Sequence, residues 1–333
     1  RPTDQDGSRQ GGPVAAAWPA RRSAGQDRRQ AAIAKASAYR HTKAMAATRF
    51  GFPAWRLRPA ALGAGSPSRL SGIIHVSDNL ELRLARGRSD VRAAQALRFR
   101  VFHTEMGAAM RGRGLWLRRD IDRFDRFCDH LVVIDRARGG RRPYVVGTYR
   151  LLRGEVALRR RGFYTADEFD LRPLMTRASE VLELGRSCVD PAYRARGVMQ
   201  VLWRGIAEYL VAHDIKLMLG CASFPGTDPD AIGHALSFLH HRHRLPDGLR
   251  PRALPDRYIE MNRVPPDAVD PARVRRETPP LVKGYLRLGG RVGDGAVCDL
   301  GFNTIDVCVV LPVEAVKDRY VKHYYRAGEQ AAA

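Results

Sequence analysis

Glu183 and Arg186 stand three residues apart in Glu183-Leu184-Gly185-Arg186-Ser187. A carboxylate fixed beside a substrate can take a proton from an amine, directly or through water, and so release it as a nucleophile. A guanidinium holds a carboxylate or phosphate through two parallel hydrogen bonds. The plain alternative is that the two side chains simply form an ion pair. Arg150, closing Gly147-Thr148-Tyr149-Arg150, supplies a second guanidinium. Asp120, Asp122 and Asp125 form D-x-D-x-x-D. They could hold a second ammonium group of an amine substrate, order a mobile loop by pairing with Arg98, or be a solvated turn. Loop ordering is the expectation adopted. The spacing also suits a cation, but no EF-hand glycine or closing glutamate follows. Arg98 and Phe102 lie four apart and share one face of a helix.

Other residues carry less. His240-His241-Arg242-His243 suggests a metal, yet adjacent helical histidines diverge and the arginine repels a cation, so a basic helix end is expected. The five cysteines, Cys128, Cys188, Cys221, Cys298 and Cys308, are scattered without C-x-x-C, as reduced, buried thiols would be. Cys188 could carry an acyl group, but packing is the simpler role. There is no G-x-S-x-G elbow for a serine nucleophile. No metal site is expected.

The elements that must position these residues can be read from periodicity. Leu80–Ala85 alternates as a strand. Ser89-Asp90 offers an N-cap for a helix carrying Val91, Ala94, Leu97, Val101 and Phe102. Residues 131–135 and 144–152 read as strands joined by a turn around Gly139, and 181–189 as a third, ended by Asp190-Pro191. A helix with Val198, Leu202, Ile206 and Leu210 on one face follows, then strands at 215–222 and 305–311 and a helix near 231–240. The result is one α+β layer on a single sheet.

Strand, helix, three strands, loop, helix, strand resembles the GNAT acyltransferase fold, a central mixed sheet flanked by helices. Arg194-Ala195-Arg196-Gly197 matches its R-x-x-G loop, which binds phosphate at a helix N-terminus. Met199 stands where that pattern expects a small residue, which suits the single phosphate of a protein-bound phosphopantetheine. Arg98, Phe102, the three aspartates, Arg150, Glu183 and Arg186, in this order, resemble acyl-homoserine lactone synthases and the L-ornithine Nα-acyltransferases of ornithine lipid synthesis, sometimes labelled haemolysin-like. Ser187–Pro191, Leu202–Ile206, Gly220–Asp228, Lys283–Gly289 and Phe302–Val307 look like the second family. The resemblance covers roughly residues 75–325.

It implies transfer of a 3-hydroxyacyl group from acyl carrier protein to the α-amino group of L-ornithine, giving lyso-ornithine lipid. Glu183 and Arg186 would be catalytic. Arg98, Phe102, Asp120, Asp122, Asp125 and Arg150 would bind substrate, and Arg194, Arg196 and Gly197 the phosphopantetheine arm. The acyl-acyl carrier protein thioester would be a co-substrate, with no cofactor bound permanently.

The chain has 333 residues, 44% hydrophobic and 28% charged, with a formal charge of +22. Such a charge points to an acidic partner: the carrier protein, or an anionic membrane met peripherally at the inner face of the plasma membrane. A nucleic-acid-binding protein is the rival from another class, but no helix-turn-helix, zinc spacing or interleaved aromatic-basic pattern supports it. No apolar run is long enough to span a membrane, and a cytoplasmic enzyme is expected. Residues 1–70 hold thirteen Lys and Arg against three Asp and no Glu and read as disordered. Residues 71–333 form the acyltransferase domain with a C-terminal extension.

Overall fold

The computed structural model describes residues 75–77, 79–109, 113–138, 140 and 142–314. The segment 1–70, expected to be disordered, lies outside the described residues.

Long β-branched and aromatic runs build the centre of the molecule. The strands are β1 (His75–Ser77), β2 (Leu80–Leu84), β3 (Asp129–Asp135), β4 (Val145–Arg153), β5 (Phe169–Asp170), β6 (Val181–Val189), β7 (Leu217–Pro225), β8 (Arg252–Ala253), β9 (Tyr258–Ile259), β10 (Arg291–Asp299) and β11 (Thr304–Pro312). They form one sheet in the order β1-β2-β3-β4-β6-β7-β11-β10-β8-β5, with β9 paired to β10. Most pairs are antiparallel. β6 and β7 are parallel and bonded over only three residues, from Val181 opposite Leu217 to Glu183 opposite Leu219. Beyond that the two strands fork: β6 stays on β4 and β7 stays on β11.

The helices are α1 (Arg88–Arg98), α2 (Arg113–Leu117), α3 (Gly154–Arg159), α4 (Val198–Ala212), α5 (Gly233–His243), α6 (Pro271–Glu277) and α7 (Pro280–Arg287). α4 joins β6 to β7 as the crossover that a parallel pair requires. Its apolar stripe, Val198, Leu202, Ile206 and Leu210, is buried with the alternate residues of β2, β3, β4 and β11. Gly147 makes room for it, since a Cβ there would lie 2.5 Å from Val198. α7 docks on the same core through Tyr285, which packs edge-on to Trp203 and meets the Tyr149 hydroxyl at 3.2 Å.

The opposite face of the sheet has two apolar clusters. One lies under α1, with Ala94, Leu97, Val132, Ile134 and Cys188. The other includes Phe124, Leu152, Phe169, Leu219 and Cys308. Among the polar residues on this face are Arg150, Glu183, Cys221 and Asp306.

α1 takes its N-cap at Gly87, not at Ser89-Asp90 as the sequence suggests. Asp90 is instead buried against Arg83 and accepts the Arg86 N–H at 2.8 Å. A carboxylate that finds a buried guanidinium gains more there than at an exposed cap. α1 also continues as a π-helix, Phe99–Glu105, a widened turn frequently found at functional sites.

Candidate active site

Arg98 is fully buried at the end of α1. Its Nε donates to Asp120 at 2.7 Å, its Nη1 to Asp125 at 2.8 Å and its Nη2 to the Asp120 carbonyl at 2.6 Å. Arg150 on β4 reaches Asp122 and Asp125. Arg186 on β6 reaches Asp122 at 3.1 Å. The loop between α2 and β3 is thus tied to three elements by three guanidiniums.

Burial alone would raise the carboxyl pKa values of Asp120 and Asp125. For Asp120 the His103 ring, 3.5 Å away, and the charges of Arg98 and Arg186 outweigh burial and hold it well below the usual range. For Asp125 the charge and hydrogen bonds of Arg98 bring it to about 2. The aspartates therefore stay ionised and engaged. This geometry is that of loop ordering, one of the three readings open to them.

Arg186 owes its orientation to a bulge. On β4 only Tyr149 separates Thr148 from Arg150, whereas their partners Cys188 and Gly185 on β6 are three apart. The extra residue puts Arg186 at φ 51, and such bulges re-aim side chains beside active sites. Its guanidinium lies between the Tyr164 ring, at 5.0 Å, and the Phe302 ring, at 4.6 Å. Its Nε sits 3.3 Å from Asp120 but makes no aligned hydrogen bond. Phe102 joins this corner edge-on to Phe302 at 5.8 Å.

Glu183 does not pair with Arg186. Its carboxylate accepts the Tyr164 N–H at 2.8 Å and the Thr165 N–H at 2.7 Å. Burial pushes its pKa up, against the bonds from Thr165 and Tyr164. Each oxygen keeps a further lone pair. Glu183 lies at the last β6–β7 pair, where the fork opens.

Arg194, Arg196 and Gly197 form a second locus at the start of α4. Gly197 takes φ 71 as the N-cap, a conformation glycine adopts without strain. The N–H groups of the first helical turn have no partners within the helix. Arg194 is clasped by Glu105, with two contacts of 2.7 Å, so the π-helix holds the loop. Arg196 is exposed over the Tyr193 ring. Met199 packs against the core beneath α4.

Cys188 is buried under α1, and burial lifts its thiol to about 12, far from a thiolate nucleophile. His241 is bonded to the Val264 carbonyl, and His240 lies against Arg244.

Residues 97–204, from the end of α1 to the middle of α4, match the acetyltransferase (GNAT) domain model. The L-ornithine N(alpha)-acyltransferase of Brucella abortus is 48% identical over 249 residues, covering 74% of this chain and 89% of that protein. Its counterpart in Agrobacterium fabrum is 47% identical over 248 residues, covering 74% and 85%. The chain belongs to the L-ornithine N(alpha)-acyltransferase family. It is an acyltransferase with a GNAT fold. A solved structure, a putative N-acetyltransferase from Lactobacillus plantarum, aligns at a TM-score of 0.38 and 14% identity, covering 71% of this chain and 99% of that one. That match is too loose to bear on the site of an L-ornithine N(alpha)-acyltransferase family member.

Sequence reasoning missed one group. Glu168, just before β5, Cys221 on β7 and Asp306 on β11 bring side-chain ligand atoms within 4.8 Å of one another. The missed signal was Asp306, a carboxylate facing inward from an otherwise apolar strand. Nothing in the local sequence marks Glu168.

Proposed function

We propose that this protein transfers a 3-hydroxyacyl group from acyl carrier protein to the α-amino group of L-ornithine, giving lyso-ornithine lipid. The observation that carries the reading is the 42–48% identity, over 248–250 residues, to relatives named L-ornithine N(alpha)-acyltransferase. The forked β6–β7 pair gives an extended acyl-pantetheine arm a place to lie, with its phosphate at the N–H groups opening α4. Arg194, Arg196 and Gly197 form that end. Glu183, at the mouth of the fork, accepts the amine proton. Arg186, stacked between Tyr164 and Phe302, holds the acceptor's carboxylate. Arg98, Arg150 and Phe102, with the three aspartates, position Arg186 and complete the wall around it.

The amine nitrogen attacks the thioester carbonyl, the C–S bond breaks, and the thiol leaves on the carrier with a proton. No covalent enzyme intermediate and no bound cofactor is needed. The +22 charge suits an acidic carrier and a peripheral encounter with an anionic membrane from the cytoplasmic side. Among the described residues no helix is long and apolar enough to cross a membrane.

The test is mass spectrometry of lipids from cells expressing the protein, joined to turnover by the purified enzyme with acyl carrier protein thioester and ornithine. Nα-acylornithine is the expected product. Its absence in both would overturn the reading.

A further inference from the structure

The aspartates that could have held an ammonium group are engaged by Arg98, Arg150 and Arg186. A second acidic locus is held only loosely, by Arg257, whose Nη1 stands 3.8 Å from the Glu168 Oε1. Glu168 is 3% exposed and Asp306 is 5% exposed. The Glu168 Oε2 lies 3.3 Å from the Cys221 Sγ. Asp306 Oδ1 is buried and has no hydrogen-bond partner. An orphaned carboxylate oxygen in the interior costs free energy unless something fills it.

Cys221 is half-buried, and Ser223, opposite Asp306 on the neighbouring strand, is exposed. The Cys221 Sγ lies 3.7 Å from the Thr165 Oγ1, and the Thr165 N–H is bonded to Glu183. The locus therefore adjoins the proposed acceptor site.

We propose that Glu168 and Asp306, flanking Cys221, bind the side-chain ammonium of the acceptor amino acid and so decide which of its two amines is acylated. This inference rests on the ornithine reading above and deepens it. An ammonium group has three donors, and the three ligand atoms lie within 4.8 Å of one another, so one nitrogen seated among them reaches all three. Two carboxylates around an amine favour its protonated form. The δ-nitrogen held there keeps its proton and has no lone pair to attack with. The α-nitrogen, outside the cluster, can be deprotonated and react.

The locus is poised for such a cation. Burial, then the neighbouring Asp306 charge, raises the Glu168 carboxyl to about 7. Burial, with Asp299 adding to it, raises Asp306 to about 6 against the Ser223 and Thr304 hydroxyls. A divalent metal fits less well. The Cys221 thiol is pushed far from ionisation by burial and by these same carboxylates.

The test uses the full chain with its acyl donor and three acceptors: L-ornithine, L-norvaline, which lacks the δ-amine, and L-lysine. Asp306→Asn and Glu168→Gln should each raise KM for ornithine on the order of 10- to 100-fold, as expected for losing a charge-assisted hydrogen bond. KM for the donor should stay unchanged. The penalty should shrink toward none with norvaline, which has nothing to place in the cluster. Tandem mass spectrometry should find some Nδ-acyl product in the variants and only Nα product in the wild type. A merely structural role would lower Tm and hurt all acceptors alike.

Unchanged KM for ornithine in folded variants, or equal penalties with ornithine and norvaline, would overturn this inference alone. So would calorimetric binding of Zn²⁺ by the wild type that both variants lose, with activity abolished by a chelator. A wild type that acylates norvaline but not ornithine would overturn the acceptor reading and this inference together.

Discussion

Single residues here are decided by what occupies their lone pairs and donors. Glu183 has both oxygens on backbone N–H groups yet retains acceptor capacity toward the fork. Glu183→Gln should keep the fold, checked by circular dichroism, and lower kcat by about 10²-fold or more, the loss expected for a general base. Unchanged turnover would remove Glu183 from the mechanism. Arg98 behaves differently because it is wholly buried between two aspartates. Arg98→Met removes the one guanidinium that bonds both Asp120 and Asp125 and should destabilise by about 3–5 kcal/mol in denaturant unfolding. The two carboxylate groups also respond to pH in opposite senses. Glu168 and Asp306 titrate at about 7 and about 6 when folded, above an unfolded value of roughly 4. Their contribution to stability is complete below pH ~4 and is lost as pH rises through 6 to 7. Asp120 and Asp125 are depressed, so their contribution is present above pH ~4 and lost as pH falls toward 2. The Tm of the acceptor-free enzyme should therefore fall between pH 5 and 8, and Glu168→Gln should flatten that fall. An equal slope in the variant would contradict the titration of Glu168.

At the scale of elements, the start of α4 and the fork beside it do the positioning. Gly197 sets the turn, Glu105 at the end of the π-helix clamps Arg194, and Gly147 lets α4 approach β4. Reversing Arg194 would break that clamp as well as any donor contact, so it reports on two things at once. Arg196 is exposed and separates them. Arg196→Glu should raise KM for the carrier-linked donor several-fold and leave kcat nearly unchanged, because it acts on encounter more than on chemistry. A change confined to kcat would move Arg196 out of the donor path. The α7 segment is held by Tyr285 on Trp203 and Tyr149, which ties a late stretch of chain to the central helix. This packing gives Lys283–Gly289 a structural role although it holds none of the proposed reacting groups.

The whole molecule is basic at both ends of the argument. The chain carries +22, and residues 71–333 alone keep +12. Opposite charge speeds encounter and fades with salt. The enzyme should therefore use acyl carrier protein thioesters far better than the matching coenzyme A thioesters, with a kcat/KM that falls as ionic strength rises. Equal kcat/KM for both donors without salt dependence would point to a coenzyme A enzyme. A chain starting at residue 71 should retain turnover, measured with the same donors, because the family resemblance and the GNAT match both begin after that point. A folded but inactive truncation would contradict this.

Much of this protein was legible one residue after another. β3, β4, β6, α4 and β11 read correctly because central strands are unbroken apolar runs and α4 repeats its apolar face every three to four residues. The order of charged residue types, from Arg98 to Arg186, was visible because spacing along the chain carries it. β10 was missed because Gly293 and Gly295, at a register shift, break its alternation. Tertiary structure alone decided which aspartate meets which arginine, since those partners lie 22 to 64 residues apart. It alone tied Glu183 to the Tyr164–Thr165 backbone instead of to Arg186. It alone brought Glu168, just before β5, to Asp306 within β11, with nothing local to connect them. Periodicity records which face of an element is buried, but the identity of a buried polar group's partner depends on which elements the sheet order places side by side.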